Sequence, residues 1–154
     1  MPGQIEQRLK ALGVELPKPA APVANYVPAV PAGTLLFVSG QLALGPNGLE
    51  LPGKVGATVG IDDARKAARL CAINVLAQTK AAIGDLERIK RIAKVTGFVN
   101  AVPDFVDHPK IVNGASDFFV EVLGDRGRHA RSSIGVGSLP LGASVEIEAI
   151  IEFA

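Results

Sequence analysis

The sequence predicts an α+β protein, a single domain in which two helices pack on one face of a mixed β-sheet. Residues 145–153 alternate apolar and mostly charged side chains, which is typical of a half-exposed strand. Residues 62–83 and 111–123 carry apolar side chains at spacings of three and four, as amphipathic helices do. The chain order of strands, helix, strand, helix and two final strands favours a sheet covered by helices on one side.

Composition supports one globular unit and argues against several kinds of partner. The chain has 154 residues, 48% of them hydrophobic and 20% charged, which is enough to bury a core. A net charge of +1 gives no field that would gather nucleic acid or an anionic membrane. No run of 18 apolar residues is present, and the lone Cys71 cannot form an internal disulfide. A cytoplasmic protein is therefore expected.

Residues 1–24 are interpreted as an N-terminal extension, and residues 25–154 as the main domain. Three apolar residues at helical spacing predict a short helix that ends at Gly13, namely Ile5, Leu9 and Leu12. Three prolines then favour an extended connector, namely Pro17, Pro19 and Pro22. Both an extension docked on the body or a neighbour and a mobile tail are consistent with this composition.

Turn and strand signals account for the first part of the main domain. The apolar residues 35–38 predict a strand, and Gly45-Pro46-Asn47-Gly48 predicts a tight turn between two short strands. Acidic residues at 62–63 suit the start of the first long helix, and Gly84 suits its end. Residues 93–101 alternate again, so a further strand follows that helix.

An arginine and a carboxylate near the C-terminus carry the chemical prediction. Arg131 begins an apolar segment, a turn at residues 139–142 reverses the chain, and Glu146 enters the last strand. We therefore expect two neighbouring strands with Glu146 close to Arg131 across a hairpin. Arginine binds a carboxylate through two parallel hydrogen bonds, and Glu146, kept ionised by the arginine, would act as a base or anchor water. The simpler alternatives are a surface ion pair for Arg131 and a solvated strand position for Glu146.

Four segments of the chain, in the same order, resemble motifs of the Rid family (reactive intermediate deaminases, also called YjgF-like or endoribonuclease L-PSP proteins). They are Asn25-Tyr26-Val27, Phe37-Val38-Ser39-Gly40-Gln41, Ile111-Val112-Asn113 with Phe118-Phe119, and the segment from His129 through Ile150. The resemblance runs from about Tyr26 to the end of the chain. It implies a Bacillus chorismate mutase-like (YjgF-like) fold and a closed homotrimer with pockets between subunits.

The resemblance also implies roles for individual residues. Arg131 is similar to the arginine that binds the carboxylate of a 2-imino or 2-enamino acid, and Glu146 to the carboxylate that holds water. Tyr26 would donate a hydrogen bond to substrate nitrogen or water, although packing explains a lone tyrosine equally well. Ser39, Gly40 and Asn113 are similar to the pocket wall, and the last of them could equally be a polar residue on a helix surface.

The chain departs from the best-studied branch of the family beside the arginine. Ser133 stands where that branch has cysteine, and His129-Ala130 replaces proline–alanine. We interpret Ser133 as an orienting group, so hydrolysis of imino or enamino acids to 2-keto acids and ammonia remains the expected activity. A protonated imine is already electrophilic, so no cofactor or metal is expected. His108 and His129 also lie far apart without a cysteine cluster, which argues against zinc.

Two other functions compete with the deaminase. A ribonuclease or translation inhibitor would need phosphate attraction and base stacking, and this chain has little net charge, no tryptophan and one tyrosine. A non-catalytic trimer that binds a small acid and signals through a partner is the second alternative, and the serine at position 133 favours it.

Overall fold

The computed structural model describes residues 2–19 and 24–154. These residues form three α-helices and seven strands. The helices are α1 (Gln4–Ala11), α2 (Ile61–Ile83) and α3 (His108–Leu123). The strands are β1 (Ala29–Ala32), β2 (Leu35–Leu42), β3 (Leu44–Gly45), β4 (Gly48–Leu49), β5 (Ile89–Asn100), β6 (Ala130–Val136) and β7 (Val145–Phe153).

Five strands form one mixed sheet in the order β1-β2-β7-β5-β6. Strands β5 and β6 are parallel and are joined through α3, whereas the other neighbouring strands are antiparallel. The α2 and α3 helices pack on each other and on the same face of the sheet. The predicted α+β class with both long helices on one face is confirmed, and β3 and β4 form the predicted short hairpin around Pro46 and Asn47.

The alternation of β7 explains why it lies in the middle of the sheet. Val145, Ile147, Ala149 and Ile151 are buried beneath the helices, because every second side chain of a strand points to the same face. The face of α3 predicted from its periodicity is completely buried, namely Ile111, Ala115, Phe118, Phe119 and Val122. Gly84 and Gly124 follow the last residues of α2 and α3, as predicted.

The N-terminal helix α1 packs against the rest of the chain. Ile5 and Leu9 are buried in the core shared with the sheet and the long helices, whereas Leu12 is 39% exposed. The carboxylate of Glu87 accepts a 2.6 Å hydrogen bond from the backbone N–H of Ile5, and Arg8 donates to the Val122 carbonyl. The part of the predicted connector around Pro22 lies outside the described residues.

The expected hairpin between the last two strands is wrong. The chain does reverse after β6, but β7 passes the end of β5 and pairs on the far side of that strand, between β5 and β2. Two features of the sequence fit this order. The apolar residues of β7 suit a central strand, and β6, with its Ser132-Ser133 pair and Gly135, suits an edge.

The face of the sheet that points away from the helices is not covered by any described part of the chain. It carries apolar side chains that are strongly exposed, including Val30, Phe37 and Ile134. Glu146 and Glu148 of β7 lie on the same face. Among residues 2–19 and 24–154, no helix combines the length and apolarity needed to cross a bilayer.

Candidate functional site

Arg131 lies on the edge strand β6 and points toward α3. It pairs with Val95 of β5, which in turn pairs with Ala149 of β7, and both of these are buried on the helix face. The Arg131 Nη1 atom donates hydrogen bonds to Asn113 Oδ1 at 2.8 Å and to Ser116 Oγ at 3.0 Å. The guanidinium is therefore partly buried and is held in the cleft between β6 and α3.

Helical and strand periodicity bring the partners of Arg131 together. Asn113 and Ser116 are three residues apart on α3 and therefore share one side of the helix. His129 comes directly before β6, two residues ahead of Arg131, and both side chains reach Ser116. The His129 Nε2 atom lies 2.9 Å from Ser116 Oγ. The His129 ring packs edge-on against Phe119, with the two ring centroids 5.9 Å apart.

The environment of His129 favours a neutral imidazole. Burial lowers the pKa of His129 and the nearby Arg131 charge lowers it further, while the hydrogen bond to the Gly127 carbonyl acts in the opposite direction. His129 Nδ1 lies 2.7 Å from that carbonyl oxygen, which can only accept a hydrogen bond. Nδ1 therefore carries the proton, and Nε2 accepts a hydrogen bond from the Ser116 hydroxyl.

Ser133 lies on the same side of β6 as Arg131, two residues further along. It pairs with Gly97 of β5, where the absence of a side chain leaves room for Val112 of α3. The Ser133 hydroxyl oxygen is buried and has no hydrogen-bond partner among the described residues. A buried hydroxyl with unused capacity can orient a polar group that enters the cleft.

Glu146 lies on the opposite face of the sheet, against the backbone of Gly40. A Cβ atom placed at Gly40 would come within 2.5 Å of Glu146 Oε2, so a larger residue would push the carboxyl out of its present position. Burial raises the pKa of Glu146, and the neighbouring Glu148 raises it further. The expectation that an adjacent arginine keeps Glu146 ionised is wrong within one protomer, because Arg131 is on the other face.

Ser39 lies at the rim of a cavity of about 440 Å³ on this open face. The Ser39 hydroxyl donates to the Pro28 carbonyl at 3.0 Å. The cavity is lined mainly by apolar side chains, together with Lys94, Thr96 and Glu148. Tyr26 is 55% exposed and directly precedes Val27, which also lines the cavity.

The structure divides the residues selected from the sequence into two groups. Arg131, Asn113 and Ser133 share the cleft between β6 and α3, whereas Glu146 and Gly40 meet on the open face. Ser39 lines the cavity on the open face, and Tyr26 is the sequence neighbour of Val27, which lines the same cavity. A larger cavity of about 860 Å³, between α2 and residues 13–19, contains none of the residues selected from the sequence.

Two functional candidates were missed by the sequence reasoning. Ser116 was not selected, and His129 was considered only as a departure from the family pattern and as a rejected zinc ligand, yet both belong to the hydrogen-bond chain that holds Arg131. The spacing of both residues in the sequence could have identified them. Ser116 lies three residues after Asn113 on a helix, and His129 lies two residues before Arg131, directly ahead of β6.

Other reactive groups contribute little to this cleft. Cys71 is completely buried on α2, and burial, followed by the nearby Glu146 charge, raises the pKa of its thiol far above the ordinary value. Its Sγ atom lies 3.5 Å from the Val145 carbonyl oxygen. The described residues contain no group of three or more histidine, cysteine, aspartate or glutamate side chains that could hold a metal ion.

The sheet topology and the one-sided helices define a small α+β protein with the chorismate mutase-like fold, carrying a fixed arginine at its edge strand. The sequence profile of the family described as "YjgF/chorismate mutase-like, putative endoribonuclease" matches residues 6–152. The chain belongs to this family. The match includes most of α1, so it reaches further toward the N-terminus than the resemblance seen in the sequence motifs.

Individual relatives support the same placement. Protein TCP17 of Trypanosoma cruzi is 44% identical over 97% of this chain and 94% of its own length. The crystal structure of Atu1372 from Agrobacterium tumefaciens, a protein of unknown function, is 50% identical with a TM-score of 0.92, covering 97% of this chain and 92% of that one. The crystal structure of E. coli TdcF with bound serine is 29% identical with a TM-score of 0.65, covering 89% and 94% of the two chains.

Proposed function

We propose that this protein hydrolyses reactive 2-imino and 2-enamino acids to 2-keto acids and ammonia. The observation that carries the proposal is the Arg131 guanidinium, held in a cleft by Asn113 and Ser116 rather than paired with a carboxylate. A surface arginine kept for stability is normally free in solvent or paired with an acid. A fixed guanidinium whose partners are both neutral keeps its charge available for an anionic ligand.

Family relatives support a small acid as the ligand. TdcF, which shares the fold and 29% of the sequence, was crystallised with serine, a small molecule that carries a carboxylate. The family description and several relatives instead carry an endoribonuclease name. This chain has a net charge of +1, so its surface has little overall attraction for a phosphate backbone.

The proposed site needs a second copy of the chain. Arg131 and Glu146 are on opposite faces of one sheet, so a single protomer cannot present both to one ligand. The open face carries exposed apolar side chains together with Glu146 and Glu148, which would complement an arginine. We expect the β6 edge of one copy to meet the open face of another in a closed homotrimer.

In the proposed mechanism, Arg131 binds the substrate carboxylate and so aligns the C=N carbon with a bound water. Glu146 of the neighbouring copy accepts a proton from that water as the oxygen attacks the carbon. Because the substrate enters as the protonated imine, the attack gives a neutral carbinolamine and a protonated Glu146. The amine takes the proton from Glu146 and leaves as ammonia, while the carbinolamine hydroxyl returns its own proton to the Glu146 carboxylate as the C=O bond of the 2-keto acid forms. A raised pKa suits this role, because the carboxyl then accepts and returns a proton more readily near neutral pH.

Trapping of imino acids tests the proposal directly. An amino-acid oxidase generates the imino acid, and semicarbazide traps the imino acid that has not been hydrolysed. The purified protein competes with semicarbazide by hydrolysing the imino acid first. Wild type should reduce trapping, and Arg131→Ala should abolish most of that effect. Arg128→Ala is the matched control, because Arg128 is exposed and, among the described residues, its side chain is hydrogen-bonded only to Asp125.

Two results would count against deamination. Equal trapping with wild type, Arg131→Ala and buffer, across several amino-acid side chains, would exclude the reaction. Tight binding of a 2-keto acid without any turnover would instead support the non-catalytic alternative, in which the cleft only recognises a small acid.

A further inference from the structure

A chain of hydrogen bonds runs from the backbone through His129 and Ser116 to Arg131. The Gly127 carbonyl accepts from His129 Nδ1, His129 Nε2 accepts from the Ser116 hydroxyl, and Ser116 Oγ accepts from Arg131 Nη1. The two ends of the chain are fixed by their chemistry, since the carbonyl cannot donate and the guanidinium cannot accept. Burial favours the neutral ring, and with the proton on Nδ1 its Nε2 atom can only accept from the Ser116 hydroxyl. In this state the chain has a single direction.

We propose that His129 and Ser116 are positioning residues that fix Arg131 so that its Nε and Nη2 edge receives the ligand carboxylate. This inference rests on the proposed function, because it assumes that Arg131 binds the carboxylate. Neither residue touches the ligand in this proposal. Their role is to set which edge of the guanidinium faces the cleft.

Counting hydrogens identifies the edge. Arg131 Nη1 carries two hydrogens, and Asn113 Oδ1 and Ser116 Oγ accept one each. Nε and Nη2 donate to no atom of residues 2–19 or 24–154. A carboxylate binds a guanidinium most strongly through two parallel hydrogen bonds. Because both hydrogens of Nη1 are already donated, only the edge formed by Nε and Nη2 can supply these two hydrogen bonds.

The position of His129 makes the arrangement rigid. The imidazole is held at Nδ1 by Gly127 and packed edge-on against Phe119, so Nε2 stays at one place next to Ser116. An arginine side chain has many rotamers, and ordering it on binding reduces affinity. A guanidinium that is already oriented loses less freedom when the ligand binds, so the chain should increase affinity.

Substitutions at Ser116 and His129 test the inference, with affinity for 2-oxobutanoate measured by calorimetry. Ser116→Ala removes the bridging hydroxyl, and His129→Phe keeps an aromatic ring against Phe119 but removes both nitrogens. We expect each to weaken binding about tenfold, because Ser116→Ala loses one hydrogen bond to the charged guanidinium and His129→Phe frees the hydroxyl that accepts it. Ser116→Thr, which retains the hydroxyl, should restore nearly wild-type affinity. Ser138→Ala, at an exposed serine beyond β6, should change nothing.

Kinetics with oxidase-generated imino acid separate positioning from a structural defect. Ser116→Ala should raise KM about tenfold and change kcat by less than about threefold, because Arg131 still aligns the substrate once its carboxylate is bound, so the lost affinity is shared by the ground state and the transition state. A fall in kcat with unchanged KM would contradict the inference. Long-range ¹H–¹⁵N spectroscopy of wild type should show His129 protonated at Nδ1, and protonation at Nε2 alone would overturn the direction of the chain.

Arg131→Ala separates the failure of this inference from the failure of the proposed function. If Arg131→Ala loses 2-oxobutanoate while Ser116→Ala and His129→Phe bind it as wild type does, the positioning role is wrong and the carboxylate site stands. If Arg131→Ala binds it as tightly as wild type, both the positioning role and the carboxylate site are wrong.

Discussion

Arg131 and Glu146 lie on opposite faces of the sheet, and β5 separates the strands that carry them. Arg131 pairs with Val95 on the helix face, whereas Glu146 pairs with Phe98 on the open face, three positions further along β5. No side-chain rotation can bring the two groups to one ligand within a protomer. If both act on one substrate, they must come from different copies of the chain.

Mixing two inactive variants tests this two-copy site. Arg131→Ala and Glu146→Gln should each be inactive alone, because each lacks one half of every site. Mixed oligomers assembled from both should regain activity, since about a third of the edge-to-face contacts in a mixed closed trimer combine an intact Arg131 with an intact Glu146. The measurement is imino-acid turnover by mixed oligomers purified through two different affinity tags.

Refolding each variant by itself and mixing the folded products without subunit exchange provides the control. Activity that stays at background in the doubly tagged oligomers would show that the two residues do not form one site between copies.

Periodicity in the sequence was enough to predict the elements. The long helices show apolar residues at helical spacing, and each ends at a glycine, Gly84 or Gly124. The last strand alternates so regularly that its buried face, from Val145 to Ile151, could be identified in advance. These are local properties, set by which side of an element each residue occupies.

The strand order could not be predicted in the same way. A turn after β6 suggested a hairpin, but whether β7 pairs with β6 or passes β5 depends on packing between distant segments. That single difference moved Glu146 away from Arg131. The roles of Ser116 and His129 were missed for a related reason, because a contact between a helix and a strand depends on how the two are packed together.

Gly40 should control the position of the Glu146 carboxyl. In Gly40→Ala the new Cβ would meet the carboxyl at 2.5 Å, and the flexible end of the glutamate would move rather than the backbone. We expect stability to change by less than about 1 kcal/mol. Activity should fall at least about tenfold, because a displaced catalytic group loses its alignment. Urea denaturation measures the change in stability, and imino-acid turnover measures the change in activity.

Gly137→Ala is the matched control for Gly40→Ala, since a Cβ at Gly137 meets nothing within 4 Å and its backbone conformation suits any residue. A Gly40→Ala protein that retains full activity would show that Glu146 is not the group that holds the water.

Helix α1 should contribute measurably to the stability of the whole fold. Leu9 is 2% exposed and lies in the shared core, so Leu9→Ala should lower the free energy of unfolding by about 2–5 kcal/mol. Leu12→Ala, at the exposed end of the same helix, should change it by less than about 0.5 kcal/mol. Denaturant unfolding followed by circular dichroism measures both. Equal, small effects would mean that α1 is only loosely attached in solution.

The stability of the protein should depend on pH through His129. Burial lowers the pKa of His129 in the folded state, so below about 6.5 the unfolded chain binds a proton that the folded chain resists. The contribution of the neutral ring to the free energy of unfolding is therefore fully present above that pH. It is lost as the pH falls from the pKa of His129 in the unfolded chain toward its lower pKa in the folded protein. A protonated ring would also place a second positive charge beside Arg131.

His129→Phe isolates this contribution, because the other titratable groups are common to both proteins. The stability of wild type relative to His129→Phe should fall when unfolding is measured at pH 5.0 instead of pH 8.0, since only wild type must then exclude or accommodate the extra proton. The comparison uses urea unfolding at constant ionic strength, so that screening of the Arg131 charge is the same at both values. A difference between the two proteins that does not change with pH would show that the imidazole titrates alike in the folded and unfolded states. The neutral ring assigned to the hydrogen-bond chain would then be wrong.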